Sequence, residues 1–440
     1  MKKKILLSVY FCLISLLTIN AQQLGLYFLD GVVQSNQLNP AFVPKQKVVY
    51  ALPGLIGGYH NSIAPYNDLV TTNAEGVNVL NGTILLNNMS DNNYVRGGFD
   101  MHTFHTVYGK KTWRVSMSHA IKFDSYVNLP RDLISLAVNG NAAAIGETFE
   151  IAPDLQLNMY SETAFGFMIK LGKINAGAKV KLFSGIANVS TDRTSATVTT
   201  DEEYYQLDIA TDYRINAAGL VDVQNLDNFG NFDLDFDTDE FSMSDLFNDM
   251  SIGLDLGASV HLLDDKLTVA ASIIDIGKIK WKNAYNYHSE GDYTYEGVDV
   301  RDMVNDDELS FDETVDTLKQ IFNFTETSND YTTWLPAKSY ISGNYKISKL
   351  FSAGGVVYYE NFRGKGYGGF ALNGSMHVSQ MLNLGLTWSS VYKTNSLGAH
   401  LMVKLGPVQL MALTDNIMSM FKPYDNQNFN AQFGLNIALK

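Results

Sequence analysis

His102-Thr103-Phe104-His105 is the spacing in this chain that comes nearest to a metal pair. On a strand, residues three apart point to opposite faces, so these two imidazoles are not expected to share an ion. Asp233, Asp235, Asp237 and Asp239 with Glu240 invite a calcium reading. An EF-hand loop requires a glycine where Thr238 or Glu240 stands, and no glutamate closes the loop. Phe232, Leu234 and Phe236 alternate with the acids, which suits an amphipathic strand in water. A solvated acidic segment is therefore favoured over weak divalent-cation binding. The single cysteine, Cys12, lies in an apolar N-terminal stretch and supplies no nucleophile. His261 and His400 read as interior or interface residues, and no nucleophile–base grouping is recognisable. The expectation is a protein without catalytic residues, resident metal or cofactor.

The elements that carry these residues explain the scarcity of chemistry. Lys2, Lys3 and Lys4 precede an apolar core from Ile5 to Ile19, and Asn20-Ala21 offers a small residue for cleavage. Residues 1–21 thus read as a secretory signal. No later run reaches the ~18 apolar residues of a membrane-spanning helix. Yet hydrophobic residues make up 46% of the chain and charged ones only 18%. The last segment shows why: Phe429, Ala431, Phe433, Leu435, Ile437 and Leu439 alternate with Asn430, Gln432, Gly434, Asn436 and Lys440. Such alternation describes a strand with oil on one side and water or polar groups on the other.

Short turns are expected at Gly109-Lys110-Lys111, Gly172-Lys173, Asp264-Asp265-Lys266, Ser348-Lys349-Leu350, Ser379-Gln380-Met381 and Gly406-Pro407. Longer connections fall near 60–94, 126–154, 191–249, 282–333, 363–366, 393–396 and 418–427. Six turns and seven loops, with both termini periplasmic, predict an all-β, 14-stranded antiparallel transmembrane barrel in a bacterial outer membrane. The barrel would occupy 46–440, with its first strand near 46–59. Leu382, Leu384, Leu386 and Trp388 face outward in one strand, and Leu397, Ala399, Leu401 and Val403 in the next. His400 and Lys404 then face the lumen, as do Lys179, Lys181 and Arg114. These cations could attract anions or pair with carboxylates such as Asp255 or Glu162, and pairing is favoured. Trp113, Trp281, Trp334 and Trp388 fall near strand ends, as an aromatic girdle requires, although ordinary core tryptophans would also fit.

Charge is segregated. Residues 191–249 hold 15 acids against Arg193 and Arg214, and 282–333 hold 13 against Lys282, Arg301 and Lys319. Both segments read as extracellular loops. Ser310-Phe311-Asp312-Glu313 forms a capping box ahead of an amphipathic helix that includes Val315, Leu318 and Phe322. Thr194–Tyr213 is expected to extend a hairpin above the membrane.

Asn39-Pro40-Ala41 resembles the Asn-Pro-Ala motif near the N-terminus of FadL-like barrels, the long-chain fatty acid transporter superfamily. Ile274-Asp275-Ile276-Gly277-Lys278-Ile279-Lys280-Trp281, Trp334-Leu335-Pro336-Ala337, and Gly406-Pro407-Val408-Gln409 followed by Thr414-Asp415-Asn416-Ile417 resemble an uncharacterised Bacteroidetes family of outer-membrane barrels. The resemblance runs across essentially the whole chain after the leader. It implies an N-terminal plug, here residues 22–45, and passage of small hydrophobic molecules. The alternative it leaves is an accessory or structural subunit of a larger secretion or assembly complex. The implied partners are outer-membrane lipid and lipopolysaccharide, a hydrophobic small-molecule ligand, and proteins met through the extracellular loops; no nucleic acid is expected.

Overall fold

A computed structural model describes residues 24–439 except Asp30, 73–75, Ala143, 225–232, 237–241, 296–323 and Gln380. The leader, the helix expected at Phe311–Phe322 and the acids Asp237, Asp239 and Glu240 lie outside the described residues. Fourteen antiparallel strands close into one barrel. They are β1 (Val48–Ala51 with Gly54–Asn61), β2 (Tyr94–Gly109), β3 (Trp113–Asn128), β4 (Asp154–Leu171), β5 (Ile174–Thr200), β6 (Ser251–Leu262) and β7 (Leu267–Trp281). β8 (Tyr331–Trp334 with Ala337–Lys346), β9 (Phe351–Phe362), β10 (Lys365–Val378), β11 (Leu382–Val391), β12 (Thr394–Leu405), β13 (Val408–Thr414) and β14 (Asn428–Leu439) follow. Closure comes from β1, which pairs with β14 on one side and β2 on the other. β1 and β8 are each interrupted at a proline, Pro53 and Pro336, where the ladder loses a donor.

Solvent polarity sets the register. Leu386, Leu401 and Phe433 are exposed on the outer surface, while Asn383, His400 and Gln432 beside them are buried in the lumen. A one-residue slip would exchange the two sets and drive Lys179 and Lys181 into lipid, at about 2–4 kcal/mol each near the midplane. At one end, the hairpins Arg363-Gly364 and Tyr392-Lys393 carry positive φ at both central residues, the geometry that matches strand twist.

The long segments are more ordered than loops. β5 spans 27 residues. Its first half pairs with β6, and its second half continues past the wall to pair with Leu207–Gly219. That strand pairs with Tyr285–Tyr295, which pairs with Thr325–Ser328. A side sheet therefore rises from the loop end over its own core of Val189, Tyr213, Ile215 and Tyr287. Asp233–Phe236 forms a separate two-stranded pairing with Val221–Gln224.

One expectation is corrected among the tryptophans. Trp334 and Trp388 are exposed, but Trp281 is 2% exposed and donates to Thr333 Oγ1. It lies over Gly185, where a Cβ would collide with the ring. The lipid-facing girdle is thus built without it.

Candidate functional site

The lumen is filled in layers, and the lowest is the N-terminal segment. It makes two short 3-10 turns, Leu24–Phe28 and Val33–Gln37, and Leu24, Leu26, Phe28 and Val32 (just before the second turn) are buried against lumenal Tyr340, Tyr358, Met411 and Leu413. Asn39-Pro40-Ala41 seats this plug. Asn39 Nδ2 donates to the Ala258 and Ala271 carbonyls at 3.4 and 3.2 Å, and its Oδ1 accepts from the Ala41 amide at 2.9 Å. The motif rests on bare backbone, because Gly177 and Gly257 face each other across β5 and β6 directly beneath it. A Cβ on Gly257 would lie 2.8 Å from Pro40 Cδ, and one on Gly177 would lie 2.8 Å from the Ala41 nitrogen. Elsewhere Lys179 Nζ donates to the Asn36 carbonyl at 2.6 Å, and the Gly25 amide donates to Asp415 Oδ1 at 3.2 Å.

Above the plug lies a buried ionic layer. Lys181 Nζ sits 2.5 Å from Asp275, 3.0 Å from Asp255 and 3.4 Å from Glu162. Glu162 also accepts from Lys122 at 2.8 Å, and Lys338 stands 3.7 Å from Asp275. Arg96 reaches Glu360 with both terminal nitrogens, and Tyr392 donates to the same carboxylate. Arg96 and Glu360 belong to β2 and β9, so this pair spans the lumen. Tyr94, Tyr126, Phe362 and Tyr367 pack next to it. At the mouth, Arg363 bridges across to Asp154, Gln156 and the Thr191 carbonyl.

These contacts assign the lumenal cations expected from sequence. Lys181 lies among three carboxylates. Lys179 and Arg114 instead turn to main-chain oxygens, Lys179 to Asn36 and Arg114 to Lys45 and Gln46. His400 is buried against Gly385, with Ser375 at 3.5 Å. Lys404 is half-buried near the short-turn end.

Two bulges gather residues that strict alternation separates. A register shift between His102 and Phe104 inserts Thr103 as an extra residue, and His102 and His105 both turn inward. The opposite-face expectation for this pair is therefore corrected, and the reason is one unpaired residue. His102 Nδ1 lies 3.4 Å from Gln37 of the plug. Likewise Asp275 adopts φ +60° where β6 and β7 shift register, its amide bonded to Asp255 Oδ1 at 2.8 Å. That bulge aims its carboxylate at Lys181. In the sequence Asp275 stands only within the Ile274–Trp281 stretch that carries the resemblance, and period-two alternation gives no sign of its partner.

The wall itself has a break. β13 ends at Thr414, paired with Ala399. Beyond it, Thr394–Gly398 of β12 are laddered to β11, and Asn428–Ala431 of β14 to β1. Side chains cross the interval: Asn428 donates to Ser396 Oγ at 2.9 Å, Asn430 to Asp415 Oδ2 at 2.7 Å, and Asn416 to the Asn428 carbonyl at 3.2 Å. Behind the break lies a cavity of about 40 Å³ that touches Leu24, His60, Tyr392 and Asn430. Outside it opens an apolar groove of about 800 Å³, bordered by Met420, Phe433, Ala412, Leu401 and Leu386. The helix Ile417–Phe421 exposes Met418, Met420 and Phe421 beside that groove.

On the side sheet, Asp212, His288 and Glu290 bring ligating atoms within 4.8 Å of one another. The His288 hydrogen bond, then the Arg193 guanidinium, holds the Asp212 carboxyl below its ordinary range. Arg193 occupies both Asp212 oxygens at 3.1 and 3.0 Å, so a cation there would have to displace it.

Residues 40–415 match the model of a family described as a family of unknown function, DUF5723. No curated protein matches the chain. Among solved structures it is similar to the Ralstonia pickettii toluene transporter TbuX, at 8% identity and TM-score 0.42, over 90% of each chain. The Pseudomonas putida toluene transporter TodX is 7% identical with TM-score 0.41, over 92% of this chain and 91% of its own. A Pseudomonas aeruginosa FadL homologue is 10% identical with TM-score 0.44, over 96% of this chain and 98% of its own.

Proposed function

This chain belongs to the family of unknown function DUF5723, and we propose that it passes small apolar molecules across a bacterial outer membrane, delivering them sideways through the wall between β12 and β14. The end of β13 at Thr414 carries this reading. Straight along the axis, a solute meets the Arg363 bridge, the ionic layer and then the plug. Desolvating charges such as Lys181 and Asp275 without their partners costs several kcal/mol each, so an apolar solute has no reason to take that path. The break in the wall requires only side-chain hydrogen bonds to part, each worth about 0.5–1.5 kcal/mol. It has an interior cavity on one side and an apolar groove on the other. The long-loop end faces outward and both termini lie in the periplasm.

Ser396 and Asn428 point inward from the two facing edges and already touch. A Ser396→Cys/Asn428→Cys pair, once oxidised, pins the edges together. Uptake of an apolar fluorescent probe into vesicles carrying this variant should fall to the protein-free rate and return on reduction. Uptake indifferent to the cross-link would sink the sideways route.

A structural subunit is the second reading, supported by the filled lumen and the side sheet beyond the wall. Stoichiometric partners recovered after gentle-detergent purification would favour it; recovery of the monomer alone would count against it.

A further inference from the structure

The two ends of the barrel carry opposite charge, and the short-turn end is the informative one. Exposed lysines stand at five successive positions round that ring: Lys47 ahead of β1, then Lys111, Lys173, Lys266 and Lys349 in the turns β2–β3, β4–β5, β6–β7 and β8–β9. Among the described residues the acids in those turns are Asp264 and Asp265, both in one turn. Among the described residues none of these five lysines takes part in an ion pair. Cations left unpaired beside an apolar surface await a counterion from outside the chain.

We propose that this ring binds the anionic headgroups of the membrane leaflet that surrounds it. The proposal rests on reading the barrel as membrane-spanning and is independent of any solute passage. The position of the lysines selects a lipid over a soluble partner. Leu171 and Ile174 bracket Lys173, Ile347 and Leu350 bracket Lys349, and all four are exposed apolar side chains. Lys173 and Lys349 therefore stand at the edge of the hydrocarbon belt, where a lysine lays its stem along apolar surface and carries its head to phosphate height. Basic residues at that height attract anionic lipid, and the attraction decays within a Debye length. A soluble acidic partner would meet a patch on one side, whereas a leaflet meets a ring at one depth. The ring is interrupted at β10–β13, where the turns are Ser379-Gln380-Met381 and Gly406-Pro407. Anionic lipid is thus held along β1–β9, and the side bearing the apolar groove is left to neutral lipid.

Trp113 is a built-in reporter, two residues from Lys111 and in edge contact with Tyr108. The full-length mature protein is reconstituted into vesicles of nine parts phosphatidylcholine to one part phosphatidylglycerol, with bromine on the acyl chains of one lipid or the other. The Trp113 signal is the difference between the wild type and Trp113→Phe. Brominated phosphatidylglycerol should quench it about twofold or more beyond its mole fraction. The excess should vanish in 1 M salt, where the Debye length is about 3 Å. It should also vanish in Lys47→Gln/Lys111→Gln/Lys173→Gln/Lys266→Gln/Lys349→Gln. If that variant does not fold, the salt series on the wild type decides alone. Quenching in proportion to mole fraction at low salt overturns the proposal, as does an excess that survives 1 M salt. Saturable binding of a soluble polyanion with no lipid excess also overturns it, assigning the ring to a macromolecule instead.

Discussion

Gly257→Ala probes how the plug is seated. The new Cβ would lie 2.8 Å from Pro40 Cδ and overlap the Asn39 amide, itself fully buried. β6 is laddered to β5 and β7 on its two sides, so the strand cannot yield and the plug must. Displacement breaks the donations to Ala258 and Ala271, and a buried amide left unsatisfied costs about 1–3 kcal/mol. Overpacking adds a similar roughly 1–3 kcal/mol. Even a net cost of about 3 kcal/mol shifts the docked-to-released ratio by roughly 100-fold. Hydrogen exchange of residues 31–42 reads this directly: protection should fall by about two orders of magnitude while the barrel strands keep theirs. Gly374→Ala is the control, since nothing lies within 4 Å of its Cβ position. Unchanged protection in Gly257→Ala, or equal loss in both variants, would refute a glycine-floored seat for Asn39-Pro40.

Lys181→Met leaves Asp255, Asp275 and Glu162 short of a cation in a buried layer, and about 3–5 kcal/mol of stability should be lost. Lys181→Met/Asp255→Asn should recover most of it in urea unfolding from detergent micelles, and a strictly additive double variant would contradict the network. On the side sheet, the folded Asp212 pKa lies below the unfolded value of about 3.9. Its contribution is therefore present above that pH and lost as pH falls through the folded value. Exchange protection of 207–217 should drop below about pH 4 while β9–β14 are unaffected, and the side sheet is exposed enough that the effect stays small.

The architecture was legible because the force that sets it acts residue by residue. Each position in 382–390 or 397–405 is either in oil or out of it, so period-two alternation and turn residues counted out fourteen strands and their facing. The cations Lys179 and Lys181 were placed in the lumen by the same parity. The long acidic segments were read as loops from their charge, yet parts of them pair into the side sheet. Their strand character depends on neighbours, and 207–219 finds its partner 285–295 some seventy residues away.

What the sequence alone determined is a closed ribbon with an oily outside and a polar inside, because burial in lipid or water is written into each side chain. Tertiary structure decided the rest. Bulges at Thr103 and Asp275 re-aimed side chains, since register belongs to a pair of strands and not to one. The plug found its glycine floor, Trp281 turned inward, and β13 stopped short of its neighbours. Each of these depends on which distant backbone comes within contact range, and that is fixed only when the chain has folded.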